Sequence, residues 1–192
     1  MIKLTTPISE ETARSLKVGD EILLTGKIVT ARDAAHKLMI EEKPEFIREH
    51  LLDGVIYHCG PVVKEENGEY SFVAAGPTTS SREEPYQATV CEEYSVRAVI
   101  GKGGMGPKTA AGLEKVGAVY LHAVGGAGSL IGKMVKKVHT VFMLEELGTP
   151  EAFWVCEVED FPCVVTMDSH GGSLHKDIAA ASQKVADDLM GL

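Results

Sequence analysis

The chain predicts a single layered α/β domain with a mixed sheet, and three observations carry that prediction. Short apolar runs alternate with helix-forming segments through the second half of the chain. Glycine-rich loops follow the runs, as in Gly101-Lys102-Gly103-Gly104-Met105-Gly106 and Gly125-Gly126-Ala127-Gly128. The 192 residues suffice for one compact core, and no linker, low-complexity tract or regular repeat divides positions 1–192.

The elements follow in order. Ile2-Lys3-Leu4 is a short extended lead, and Val18-Gly19-Asp20 a turn into a strand over 21–29, with Gly26 a bulge or a point of close approach. The pattern turns helical over 30–40, with Thr30 the expected N-cap and Asp33 in the first turn. Pro44 opens a second helix over 45–52, which Gly54 stops. Val55 to Pro61 and Tyr70 to Pro77 are strands ending in Gly-Pro, joined through the hairpin signal Asn67-Gly68. Ser80 with Glu83, or Ser81 with Glu84, forms a capping box for a helix running to Tyr94. Strands are expected at 96–100, 118–124, 153–158 and 163–167. Helices are expected from Pro107 to Val116, over most of 129–147, and from Asp177 to Leu189.

Composition excludes several functions. Lys and Arg number 19 against 28 Asp and Glu, a net charge of −9, which opposes general nucleic-acid binding. Hydrophobic residues make 44% and charged residues 24%, the mix of a soluble globular domain. No apolar run approaches the roughly 20 residues that a spanning helix needs. The start, MIKLTTPISEE, lacks the apolar core of a signal peptide, so a cytoplasmic location is expected. Cys59, Cys91, Cys156 and Cys163 are scattered, without C-x-x-C spacing, and read as buried free thiols rather than a metal or cluster site.

Gly101-x-Gly103-x-x-Gly106 follows a strand and precedes a helix, as a dinucleotide fingerprint does. The acidic ribose ligand expected about 20 residues on is missing. Pro107 also removes a helix N-terminal donor. Turn glycines or a small-anion site using Lys102 compete with this reading, and a nucleotide-binding regulatory domain stays as an alternative. Gly128 to Lys133 fails the Walker spacing, with Ala127 where glycine is required and Met134 in place of Ser/Thr.

Three cations, Arg32, Arg82 and Lys102, stand where strands give way to loops or helices, the place where α/β folds bind ligands. Singly each reads as a surface ion pair. Together they suit a small dianion such as a dicarboxylic acid. Thr78-Thr79-Ser80-Ser81 supplies hydroxyls and amides beside Arg82, though a hydroxyl needs an activating neighbour to act as a base. His36 lies one turn after Arg32 and either orders it, meets a ligand, or is a helix-surface histidine. Asp168 and His170 form a weak candidate ligand pair, and Trp154 and Phe153 read as core.

At Thr30 to His36, Gly76 to Arg82 and Gly101 to Gly106 the sequence resembles the β subunit, or C-terminal domain, of iron–sulfur (class I) fumarases and its relative, the L(+)-tartrate dehydratase β subunit. The likeness continues through Trp154-x-Cys156, Phe161-Pro162 and Asp168-x-His170-Gly171. It implies a swivelling β/β/α three-layer domain and reversible hydration of fumarate to L-malate, a tricarboxylic acid cycle reaction. It implies a [4Fe–4S] cluster bound by a partner α subunit and not by this chain. Carried over, Arg32, Arg82, Lys102 and His36 bind the C4 dicarboxylate, Arg82 and Lys102 also act in catalysis, and Thr78 is the proposed base. Alanines at 31, 34 and 35 favour the fumarase version over tartrate dehydratase. The chain alone is expected to be inactive and to expose an apolar docking patch beside the Gly-Pro strand ends, and the sequence leaves open whether it forms a homo-oligomer when isolated.

Overall fold

The computed structural model describes residues 1–191. Seven strands make one mixed sheet: β1 (Ile2–Thr5), β2 (Glu21–Thr30), β3 (Val55–Tyr57), β6 (Ala98–Gly101), β7 (Val119–His122), β9 (Phe153–Met167) and β8 (Val135–Phe142), in that spatial order. The first five run parallel, and β9 runs antiparallel to its neighbours. β9 pairs with β7 and β8 on one edge and with β2 along the other, so β2-β3-β6-β7-β9 closes into a barrel-like sheet. The α/β class and the mixed sheet are as expected. The closure is invisible in any single strand, because it depends on one long strand finding partners on both edges.

The parallel strands are buried on both faces, as their unbroken apolar runs require. Val55, Tyr57, Ala98, Ile100, Val119 and Leu121 face one core, with Trp154 and Phe161. Ile56, Val99 and Tyr120 point the other way. There they meet α2 (Asp33–Glu41), α3 (Arg48–Leu51), α4 (Gln87–Tyr94) and α5 (Pro107–Val116) through Met39, Leu51, Val90 and Leu113. Each such fully buried side chain contributes about 1.5–3 kcal/mol, so these two cores dominate stability.

The remaining elements are peripheral. α1 (Glu10–Ser15) is capped by Ser9, whose hydroxyl accepts from the Thr12 amide. β4 (Val62–Glu66) and β5 (Glu69–Ala74) form a hairpin that turns at Asn67 and Gly68 as expected, both at positive φ, but its first arm is the charged stretch and not the strand at Val55, which joins the main sheet. α6 (Gly128–Gly132) and α7 (Leu144–Leu147) flank β8, and α8 (Leu174–Met190) closes the described chain. Among the described residues no helix is long and apolar enough to cross a membrane.

The structure corrects four local expectations. The stretch 129–147 is not mostly helix: Val135, Val138 and Val141 belong to β8, recruited by the free edge of β9. The strands at 153–158 and 163–167 are one strand, because Glu159-Asp160 bends it without reversing it, and the Asp160 amide donates to Thr25 Oγ1 at 3.1 Å. Thr30 ends β2 instead of capping α2, and its hydroxyl accepts from the Trp154 amide at 3.2 Å. The capping box does not form. Ser80–Arg82 is a short 3₁₀ turn, and α4 begins only after Pro85.

Candidate active site at the strand ends

β2, β3, β6 and β7 run parallel, so their C-terminal ends meet at one end of the sheet. Arg32 leaves β2 there, His58 leaves β3 and Lys102 leaves β6. The segment carrying Thr78 and Arg82 is stitched to the same place by backbone pairing. Lys102 donates its amide to the Thr78 carbonyl at 3.2 Å, and the Ser80 amide donates to the Lys102 carbonyl at 3.0 Å. The Thr78 amide donates to the His58 carbonyl at 2.6 Å.

Arg32 occupies the N-cap position of α2 and pairs with Glu151 at 3.3 Å. Its guanidinium crosses over Gly60, where a Cβ would stand 2.7 Å from Arg32 Nη1. The glycine of the first Gly-Pro strand end is therefore required by this close approach. Arg82 grips Asp33 through Nε at 2.8 Å and through Nη2, yet its side chain stays 52% exposed. Asp33 is the first residue of α2, so this pair ties the Arg82 turn to the helix that Arg32 starts. Lys102 is half-buried and, among the described residues, makes no ion pair. The Thr78 backbone is clamped on both sides, and its hydroxyl hydrogen-bonds to none of the described residues.

His36 is not a helix-surface residue: it is fully buried. Its Nδ1 stands 2.9 Å from the Arg32 carbonyl, and its Nε2 2.9 Å from one terminal atom of the Gln87 carboxamide. Its path to the Arg32 segment runs through the Arg32 backbone carbonyl. The same Gln87 atom lies 2.7 Å from His58 Nε2, and His58 Nδ1 lies 2.8 Å from Ser80 Oγ. Burial pushes both imidazole pKa values down, that of His58 to about 3, so both rings are neutral.

Glu83 is also fully buried, and neither of its oxygens accepts a hydrogen bond. Burial and the neighbouring Asp33 carboxyl raise its pKa to about 8. Burial raises the Asp33 pKa, but the Asp33 backbone amide, Glu83 and Arg82 outweigh it and hold that pKa below its usual value. His58, Gln87, Glu83 and Tyr120 were not singled out in the sequence. A histidine at the end of the apolar run Val55-Ile56-Tyr57 was the one available signal.

The glycine loop has a different purpose from the one its spacing advertises. The Glu84 carboxylate accepts from the amides of Gly106, Lys108 and Thr109 at 2.7, 3.0 and 3.2 Å. The α5 N-terminus that a pyrophosphate would use is therefore already capped by a carboxylate. Asp168 accepts from the amides of Val18, His170 and Gly172, and so shapes its loop. His170 Nε2 contacts the Arg14 carbonyl at 2.7 Å.

The four thiols are buried, with pKa values pushed up by burial to about 12 for Cys59, Cys91 and Cys163, and raised further for Cys156. No group of three or more His, Cys, Asp or Glu side chains among the described residues is arranged to hold a metal. Inert, separated thiols do not fit an iron–sulfur cluster, which takes thiolates from converging cysteines.

The family model described as Fumarase C-terminus matches residues 1–178. The chain belongs to that family. It is 50% identical over 183 residues to a putative class I fumarate hydratase of Geobacillus stearothermophilus, covering 95% of this chain but 35% of that protein. It is 39% identical over 188 residues to a putative L(+)-tartrate dehydratase subunit beta of Methanocaldococcus jannaschii, covering 96% of both chains. It is 41% identical over 172 residues to the L(+)-tartrate dehydratase subunit beta of Escherichia coli K12, covering 89% of this chain and 85% of that subunit.

Proposed function

We propose that this Fumarase C-terminus chain is the β subunit of a heteromeric hydro-lyase that interconverts fumarate and L-malate. The carrying observation is the convergence of the Arg32, Thr78–Arg82 and Lys102 segments at one end of the sheet, held by direct backbone pairing. Arg32 and Arg82 present forked donors that suit two carboxylates, and Lys102 adds a point charge. As the C3 proton of malate leaves, negative charge gathers on the carboxylate bonded to C3, where fixed cations lower the barrier; that electron pair then forms the C2=C3 bond as the C2–O bond breaks, and the hydroxide would leave to the Lewis acid that the partner supplies. Thr78 is the proposed base for the C3 proton, its backbone held by His58 and Lys102, and the partner would supply the neighbour that activates its hydroxyl.

The [4Fe–4S] cluster is assigned to an α partner, because the thiols of this chain are buried and apart. Exposed Val73, Val124 and Leu130 lie on segments flanking the Gly76–Gly128 approach, and form the docking patch for that partner. The domain swivels as a unit against it when substrate binds. L(+)-tartrate dehydration is the second reading, favoured by the separate β subunits among the relatives.

The test is anaerobic co-expression with a cluster-bearing α subunit, followed by rates on fumarate and L(+)-tartrate with the same complex. Fumarate is expected to be the better substrate. The chain alone is expected to be inactive. Full activity of Arg82→Ala in the complex would overturn the site assignment. Micromolar binding of NAD or ATP by the chain would revive a nucleotide-binding role.

A further inference from the structure

We propose that Gln87 and Tyr120 are positioning residues, the two buried links in a hydrogen-bond chain that locks the three cation-bearing segments into one arrangement. The inference rests on the reading above for what the cations bind, but the coupling of the segments is a separate property of this chain.

The chain of contacts is continuous. It starts at the Arg32 carbonyl, passes through His36 to Gln87 at 2.9 Å for both steps, and on to His58 at 2.7 Å. From His58 it reaches Ser80 Oγ at 2.8 Å and then the Tyr120 hydroxyl at 2.8 Å. Burial raises the Tyr120 pKa, and Ser80 and the Gly104 amide oppose that rise. The chain thus runs from the backbone carbonyl of Arg32 to the Tyr120 hydroxyl on β7, the strand paired with the one that Lys102 leaves. Ser80, in the middle, is two residues from both Thr78 and Arg82. His36, His58, Ser80, Gln87 and Tyr120 are all fully buried.

One protonation pattern satisfies both imidazoles and the Gln87 carboxamide. A neutral His36 spends its single N–H at Nδ1 on the Arg32 carbonyl, so Nε2 must accept. The Gln87 end facing the rings is then the –NH₂, whose two hydrogens serve His36 and His58 Nε2. His58 keeps Nδ1–H and donates it to Ser80. The Gln87 oxygen turns to the Cys91 thiol, at the separation of 3.3 Å. Of the two hydroxyl hydrogens at Ser80 and Tyr120, one bridges the pair.

Gly101 explains why the network needs its glycine. A Cβ there would stand 1.9 Å from Ser80 Oγ, 3.0 Å from the Tyr120 oxygen and 3.1 Å from His58 Nδ1. The first glycine of the Gly101–Gly106 motif makes room for a hydrogen-bond node, and a bare apolar packing role would not require that.

The experiment uses the full-length chain, labelled for NMR, with Tyr120→Phe and Gln87→Leu. Tyr120→Phe keeps the ring and removes one oxygen, so it folds even if Gln87→Leu does not. Amide exchange at Lys102, Gly104, Thr78 and Ser80 is expected to accelerate by about tenfold or more in Tyr120→Phe, with β2–β9 amides unchanged. In the wild type, His36 and His58 are expected as Nδ1–H tautomers. In the reconstituted complex, KM for the dicarboxylate is expected to rise about tenfold while kcat falls less. Acceleration confined to β7, or a uniform rise that follows global stability, overturns the proposal. So does an unchanged KM in an active complex. If the wild-type complex hydrates neither substrate, the functional reading fails, and the exchange pattern still decides the coupling.

Discussion

Replacing Glu83 by Gln should change how stability depends on pH, with a sign and size set by its burial. Glu83 has no exposed surface, and its pKa rises from 4.5 to about 8 through burial first and the neighbouring Asp33 second. The folded state therefore binds one more proton than the unfolded state between those values. The stabilisation from that proton is complete below the unfolded pKa and is lost as pH rises through about 8. Each pH unit inside the interval is worth about 1.4 kcal/mol, so from pH 6 to pH 9 this carboxyl withdraws roughly 2–3 kcal/mol. Glu83→Gln keeps an N–H for Asp33 and cannot ionise. Urea unfolding of both proteins at pH 6 and pH 9 isolates the difference, because all other titrating groups are shared. The variant should gain roughly 2–3 kcal/mol on the wild type over that range. An identical stability gap at the two pH values would refute the reasoning.

Acid should expose the opposite dependence from His58: its folded pKa near 3 against 6.5 unfolded removes about 1.4 kcal/mol per pH unit as pH falls below 6.5, measurable by unfolding at pH 6.5 and 5. Gly101→Ala should cost about 3 kcal/mol, because its methyl enters the space held by Ser80 Oγ, and a thermal shift of only a degree would contradict this. Lys102→Ala should leave the melting temperature within about 2 °C, since no ion pair is lost, yet reduce kcat/KM of the reconstituted complex by about a hundredfold or more.

The fold class, the hairpin at Asn67-Gly68, the helix from Pro107 and the buried thiols were legible in the residues, because each rests on local patterning. Strand β8 was not, since Val135, Val138 and Val141 fit a helix face until β9 offers an edge. The capping box failed for a tertiary reason as well. Glu84 caps α5 across the fold, and Glu83 goes inward beside Asp33.

By itself the sequence determined which cations stand at strand ends, because strand, turn and helix signals are short-ranged. The family resemblance rested on those same motifs. Only tertiary structure decided that His36 is interior, that Asp33 holds Arg82, and that a glutamine sits between two imidazoles. Partners such as His36 and Gln87 are 51 residues apart. Buried polar atoms must find hydrogen bonds wherever the closed sheet brings them, and no local pattern encodes that search.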